Sequence, residues 1–76
     1  MNKRYVDVLA KFSANGCITP LAVVSESGIR HDISRITNQI FAASQKSGGV
    51  GMRYTCYIGT KMFYLFLEEN KWFMEA

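Results

Sequence analysis

The sequence predicts an α+β domain in which three short helices precede a C-terminal β-hairpin, an expectation that rests on three observations. Apolar residues recur at helical spacing in the first half, as Tyr5, Val8, Leu9 and Phe12 and again as Ile29, Ile33, Ile36 and Ile40. Turn and breaker residues punctuate that half at Asn15-Gly16, Thr19-Pro20 and Ser27-Gly28. From Met52 onward the pattern changes to two apolar, aromatic-rich runs separated by Gly59-Thr60, the length and chemistry of a two-residue hairpin loop.

Each element follows from its residues. Helix 1, about residues 3–14, takes Asn2 as its N-cap and ends at Asn15-Gly16, where glycine supplies a left-handed stop. Helix 2, about 20–26, starts at Thr19-Pro20 because a threonine hydroxyl caps free N–H groups and a proline at the first helical position loses no hydrogen bond. Ser27-Gly28 makes the turn to helix 3, whose isoleucine stripe runs to about Ser44 or Ser47 before Gly48-Gly49-Val50-Gly51, a flexible joint. The Gly59-Thr60 loop then fixes a type II′ hairpin in which Ile58 faces Lys61, Cys56 faces Phe63, Tyr54 faces Leu65 and Met52 faces Leu67. Those pairs make one apolar face. Arg53 with Phe66, Thr55 with Tyr64 and Tyr57 with Met62 make the other. Residues 68–76 read as a short charged tail with Trp72 and Phe73 as an aromatic clasp.

Size and composition bound the function. Seventy-six residues allow one domain, and 49% apolar with 20% charged residues is ordinary globular usage. A core this small rarely supplies more than about 3–5 kcal/mol by itself, which raises the expectation of a homodimer. No apolar run reaches the roughly 18–20 residues of a membrane span, and the first residues lack a signal-peptide core, so the chain reads as cytoplasmic with no membrane partner. The net charge of +3 is uneven. Residues 1–61 carry eight Lys and Arg against three Asp and Glu, whereas residues 62–76 carry one against three, so a polyanion would meet the first part.

The order helix, extended piece, helix, tight turn, helix, hairpin over residues 3–67 resembles the winged helix-turn-helix superfamily. Thr19-Pro20-Leu21-Ala22-Val23-Val24 followed by Gly28 to Ile36 is the part most similar to it. In size and layout the chain is similar to small transcription regulators of enteric bacteria and their phages. The resemblance implies a DNA-binding regulator of transcription, with helix 3 in the major groove and the 52–67 hairpin as the wing on double-stranded DNA. Opposite its isoleucines, helix 3 would offer Arg30, His31, Ser34, Arg35, Asn38 and Gln39 to base edges, with Arg53 and Lys61 on phosphates. The plain alternative is a solvated helix face.

A second reading is a protein-binding module that occupies a host protein through the aromatic outer hairpin face, Tyr57, Met62, Tyr64 and Phe66. Enzymatic chemistry is not expected. His31 stands alone, the serines and acids form no nucleophile motif, and Gly48-Gly49-Val50-Gly51 lacks the lysine and following Ser or Thr of a phosphate loop. Cys17 and Cys56 have neither CxxC spacing nor a flanking histidine, so no metal site or cofactor is expected.

Overall fold

The computed structural model describes residues 3–43 and 50–75. They form eight strands: β1 (Lys3–Tyr5), β2 (Asp7–Phe12), β3 (Ile18–Val24), β4 (Arg30–Asp32), β5 (Arg35–Ala43), β6 (Val50–Ile58), β7 (Lys61–Glu68) and β8 (Lys71–Glu75). All pairings are antiparallel, in a five-stranded sheet of order β1-β8-β7-β6-β5 and a three-stranded sheet of order β2-β3-β4. The described residues contain no helix. The expected α+β winged helix is thereby corrected to an all-β fold, and the helix-turn-helix goes with it.

Two strands pass from one sheet to the other. Val6 separates β1 from β2, and its N–H still donates to the Trp72 carbonyl on β8 at 3.1 Å. Ile33 and Ser34 separate β4 from β5: the Ile33 N–H donates to Leu21 O at 2.9 Å and the Ser34 N–H to Tyr57 O at 2.7 Å. Pairing thus runs in a circuit from β1/β2 through β3, β4/β5, β6, β7 and β8 back to β1. Strands that change sheet in this way form the corners of a small barrel.

The misread helices show why periodicity failed. In β2, Val8 and Ala10 are half-buried while Asp7, Leu9 and Lys11 are exposed, the two-residue alternation of a strand. Leu21 is an extra residue of β3 between Ala22, which faces Leu9, and Pro20, which faces Ala10. Proline therefore sits beside a bulge, where its missing N–H disturbs the ladder least. In the third segment the isoleucines do not share a face. Ile29 lies in the β3–β4 turn, and Ile33 at the corner and Ile36 on β5 pack against the core. Thr37 is then unpaired between Ile36 and Asn38, and this bulge shifts the alternation so that Ile40 pairs with Arg53, away from the core side of its strand. A corner and a bulge in an alternating strand imitated a helical stripe. The expected end of helix 3 at Ser44 to Ser47 lies outside the described residues.

The hairpin register holds as expected from Met52 facing Leu67 to Ile58 facing Lys61. Gly59 has φ +62° while Thr60 keeps negative φ, as a type II′ loop requires. Beyond it, Lys71 to Glu75 add a strand between β7 and β1, through a turn in which Glu69 (φ 50°) and Asn70 (φ 66°) are both left-handed. Trp72 packs at 5.6 Å from the Tyr54 ring, and Phe73 stacks on Phe66 at 5.1 Å on the opposite face.

Val23, Tyr54, Cys56 and Leu65 form the central cluster. Tyr54, buried on β6, donates its hydroxyl to the Ile18 carbonyl of β3 at 2.7 Å, a strut from one sheet to the other. Gly51, expected in a flexible joint, is instead buried in β6. A Cβ there would overlap the Leu67 carbonyl oxygen and come within 2.8 Å of Glu68 Cγ.

Gly51→Ala should therefore destabilise the protein by about 1–3 kcal/mol or more, measured by urea unfolding; unchanged stability would mean that β6 and β7 do not approach as closely as described. Tyr54→Phe keeps the ring and strands the Ile18 carbonyl, and should cost about 1–3 kcal/mol in the same assay.

Candidate binding cleft

The β3–β4 turn, the tip of the β6–β7 hairpin and β1 surround a cleft of about 620 Å³ at one end of the barrel. Its floor is apolar: Val6 from the corner, Val23 from β3, Ile58 and Phe63 from the hairpin, and Met74 from β8. Its rim is polar and carries two cations, Arg4 and Lys61. Arg4 stands on β1, His31 on β4 and Lys61 on β7, against one carboxylate, Glu26. Sequence order explains the convergence. Val6 is where β1 becomes β2, and Ser25 to Ile29 close a tight turn in which the Gly28 N–H donates to Ser25 O at 2.8 Å with Gly28 at φ +85°. Gly59-Thr60 folds Ile58 back on Lys61.

The cations of the molecule divide by partner. Lys3 Nζ lies 3.0 Å from Glu68 Oε1 and 4.7 Å from the Phe73 ring centroid; the hydrogen bond to Glu68 holds its pKa above the ordinary lysine value. Arg30 Nε lies 2.6 Å from Asp32 Oδ1. Among the described side chains, Arg4 and Lys61 have no carboxylate within 4.0 Å, and the Arg4 guanidinium donates to the weakly accepting Met74 Sδ at 3.9 Å. Both cleft cations are exposed.

The residues expected to read DNA do not converge. Arg30 is tied to Asp32, and His31 and Lys61 belong to the cleft rim. Ser34 is structural: its Oγ donates to Tyr57 O at 3.0 Å and accepts from the Gly59 N–H at 2.8 Å, fastening the corner to the hairpin turn. The Arg35 guanidinium lies 4.1 Å from the Tyr57 ring centroid and that of Arg53 4.8 Å from the Tyr64 centroid. Asn38 accepts from the Gln39 N–H at 2.9 Å on the outermost strand. These side chains are spread over β4, a corner, β5, β6 and β7, so no recognition helix presents them to a groove, and the helix-turn-helix reading of DNA binding is corrected. The aromatic patch of the second reading is also divided. Phe66 is buried against Phe73, Tyr57 lies half-buried under Arg35, Met62 lines the cleft, and Tyr64 is left exposed beside Arg53. A host-protein surface made of these four is not supported.

Sequence reasoning missed Val6, Val23, Ile58, Phe63 and Met74 as site residues and offered Arg4 only as a phosphate contact from a helix. The local signal was the alternation Val6, Val8, Ala10, which makes residues 6–10 a strand and puts Arg4 on the same side as Val6. No family model, curated protein or solved structure matches this chain.

In the core, burial pushes the Cys56 thiol up from about 9 to about 11, and burial also raises the Tyr54 phenol. Both groups fold as neutral acids with raised pKa, so their stability is complete below the unfolded values and is lost as pH rises through the folded ones. The melting temperature should fall steeply between pH 9 and 11, and Cys56→Ala should flatten that fall; an unaltered slope would exclude the thiol as its source. At neutral pH the exposed Cys17 should react with a thiol reagent at once and Cys56 only on unfolding.

Proposed function

We propose that this chain is a binding module that takes a small amphiphilic anion into the cleft between the β3–β4 turn and the β6–β7 hairpin. The observation that carries the reading is the pairing of an apolar floor of Val6, Val23, Ile58, Phe63 and Met74 with two exposed cations, Arg4 and Lys61, that have no carboxylate partner among the described side chains. Ligand sites are concave, mostly apolar, and oriented by a few polar groups, and about 620 Å³ falls within their usual range of roughly 300–1,000 Å³. The mouth of a small barrel is also a preferred place for them.

The division of labour follows from the geometry. The floor takes the apolar body of the ligand and releases water from it. Arg4 and Lys61 meet the anionic head with charge-assisted hydrogen bonds, and His31, Ser25 and Ser27 add donors at the rim. Glu26 disfavours a second negative charge beside it.

Decanoate and its uncharged counterpart decanol, titrated into ¹⁵N-labelled protein below micelle-forming concentration, test the reading. Decanoate should move the amide signals of Val6, Val23, Ile58 and Met74 and bind more tightly than decanol. Arg4→Gln combined with Lys61→Gln should weaken decanoate by about tenfold and leave decanol unchanged. Equal binding of the two compounds, or signals that move only outside the cleft, would overturn it.

A further inference from the structure

Four strand edges are unpaired among the described residues, and they differ in one respect. β1 carries Lys3 and Arg4, β2 carries Asp7 and Lys11, and all three residues of β4 are polar, Arg30, His31 and Asp32. Charge on an edge strand is a standard guard against pairing with another chain. β5 is the longest of the four, and after Arg35 its sequence Ile-Thr-Asn-Gln-Ile-Phe-Ala-Ala contains no charge and no proline. It ends the five-stranded sheet, with Phe41 73% and Ile40 36% exposed. Its one irregularity, the Thr37 bulge, lies near the start of the strand and leaves Asn38 to Ala43 in regular register with β6.

We infer that the β5 edge is a homodimer interface, on which the β5 strand of a second copy pairs antiparallel and joins the two five-stranded sheets into one. The occupant is a second copy for two reasons. An antiparallel strand pair about a two-fold axis is self-complementary, so one edge serves both partners without further specialisation. The segment 36–43 is also uncharged within a chain of net charge +3, so two copies meet there without like charges opposed. The Gln39 N–H, which turns to Asn38 Oδ1 at 2.9 Å in the single chain, gains a carbonyl of the neighbouring strand in exchange. The sheet stays twisted through the junction, and Phe41 and Ile40 lose exposed apolar surface. The interface runs from the corner toward the Gly51 end of the molecule, away from the cleft mouth, so it does not depend on the proposed ligand.

Sedimentation equilibrium over a range of protein concentration, paired with amide hydrogen exchange, is the test. The expected mass is twice 8.6 kDa at high concentration. The β5 amides should exchange more slowly as concentration rises, while those of β2 do not change. Gln39→Lys puts an ammonium group on the edge strand of each copy and should weaken the dimer by about tenfold or more. Phe41→Lys, at an exposed position that leaves the core untouched, should do the same, and thermal melts of both variants establish that they fold. A monomer at every concentration would overturn the inference. A dimer that survives both folded variants, or that protects strands other than β5, would overturn it equally.

Discussion

At Ile33 and Ser34 the chain hands its hydrogen bonds from one sheet to the other within two residues. Ile33 N–H donates back to β3 and Ser34 N–H forward to β6, so no backbone donor is stranded at the corner. The Ser34 hydroxyl completes the joint by donating to Tyr57 O and accepting from the Gly59 N–H, which ties the corner to the hairpin turn. Val6 makes the second transfer through its bond to Trp72 O. A chain of 76 residues has little apolar surface with which to compensate an unmet backbone group. Closing the circuit of pairs at two corners meets that constraint, and the Tyr54 hydroxyl on Ile18 O braces the sheets between them. The cleft is a consequence of the Val6 corner, since Val6 lies on its floor and the strand that carries Arg4 stands at its rim.

Three turns of this protein were legible in its sequence and the elements between them largely were not. Asn15-Gly16, Ser27-Gly28 and Gly59-Thr60 all lie in turns, with positive φ at each glycine, because left-handed backbone is a local demand that only a few residues meet. The β6–β7 register was legible for the same reason: a two-residue loop leaves one alignment. Segments 3–14 and 29–40 were misread because bulges and corners break a strand's alternation, and an alternation broken every few residues resembles a period of 3.6. Their content of Val, Ile and Thr favoured strands throughout. The Glu69-Asn70 turn was missed because its first residue is not a usual left-handed one, although Asn70 after an apolar run was a signal.

The site was legible only in fragments. Lys61 and His31 were singled out for their charge and hydrogen-bonding capacity, yet as parts of a DNA surface; the structure joins them to Arg4 through pairings that span most of the chain. Met62 was read as part of an exposed aromatic face and lines the cleft instead. Such a site is a product of long-range topology. β1 lies beside β8, at the far end of the sequence, and nothing in residues 3–6 alone announces that neighbour.

Charge placement connects the two proposals. Among the four open edges of the described residues, β1 and β4 also carry Arg4 and His31 of the cleft rim, so these side chains both guard the backbone against other strands and help to define what the cleft attracts. β5 begins at the corner beside the hairpin turn and runs to the opposite end, where Ala42 faces Gly51. There charge would serve no ligand, and beyond Arg35 the edge carries none. A guard kept on three edges and dropped on the longest is what a sheet needs if that edge is to be covered by an identical strand, and a two-fold pair through β5 leaves both clefts open at the outer ends.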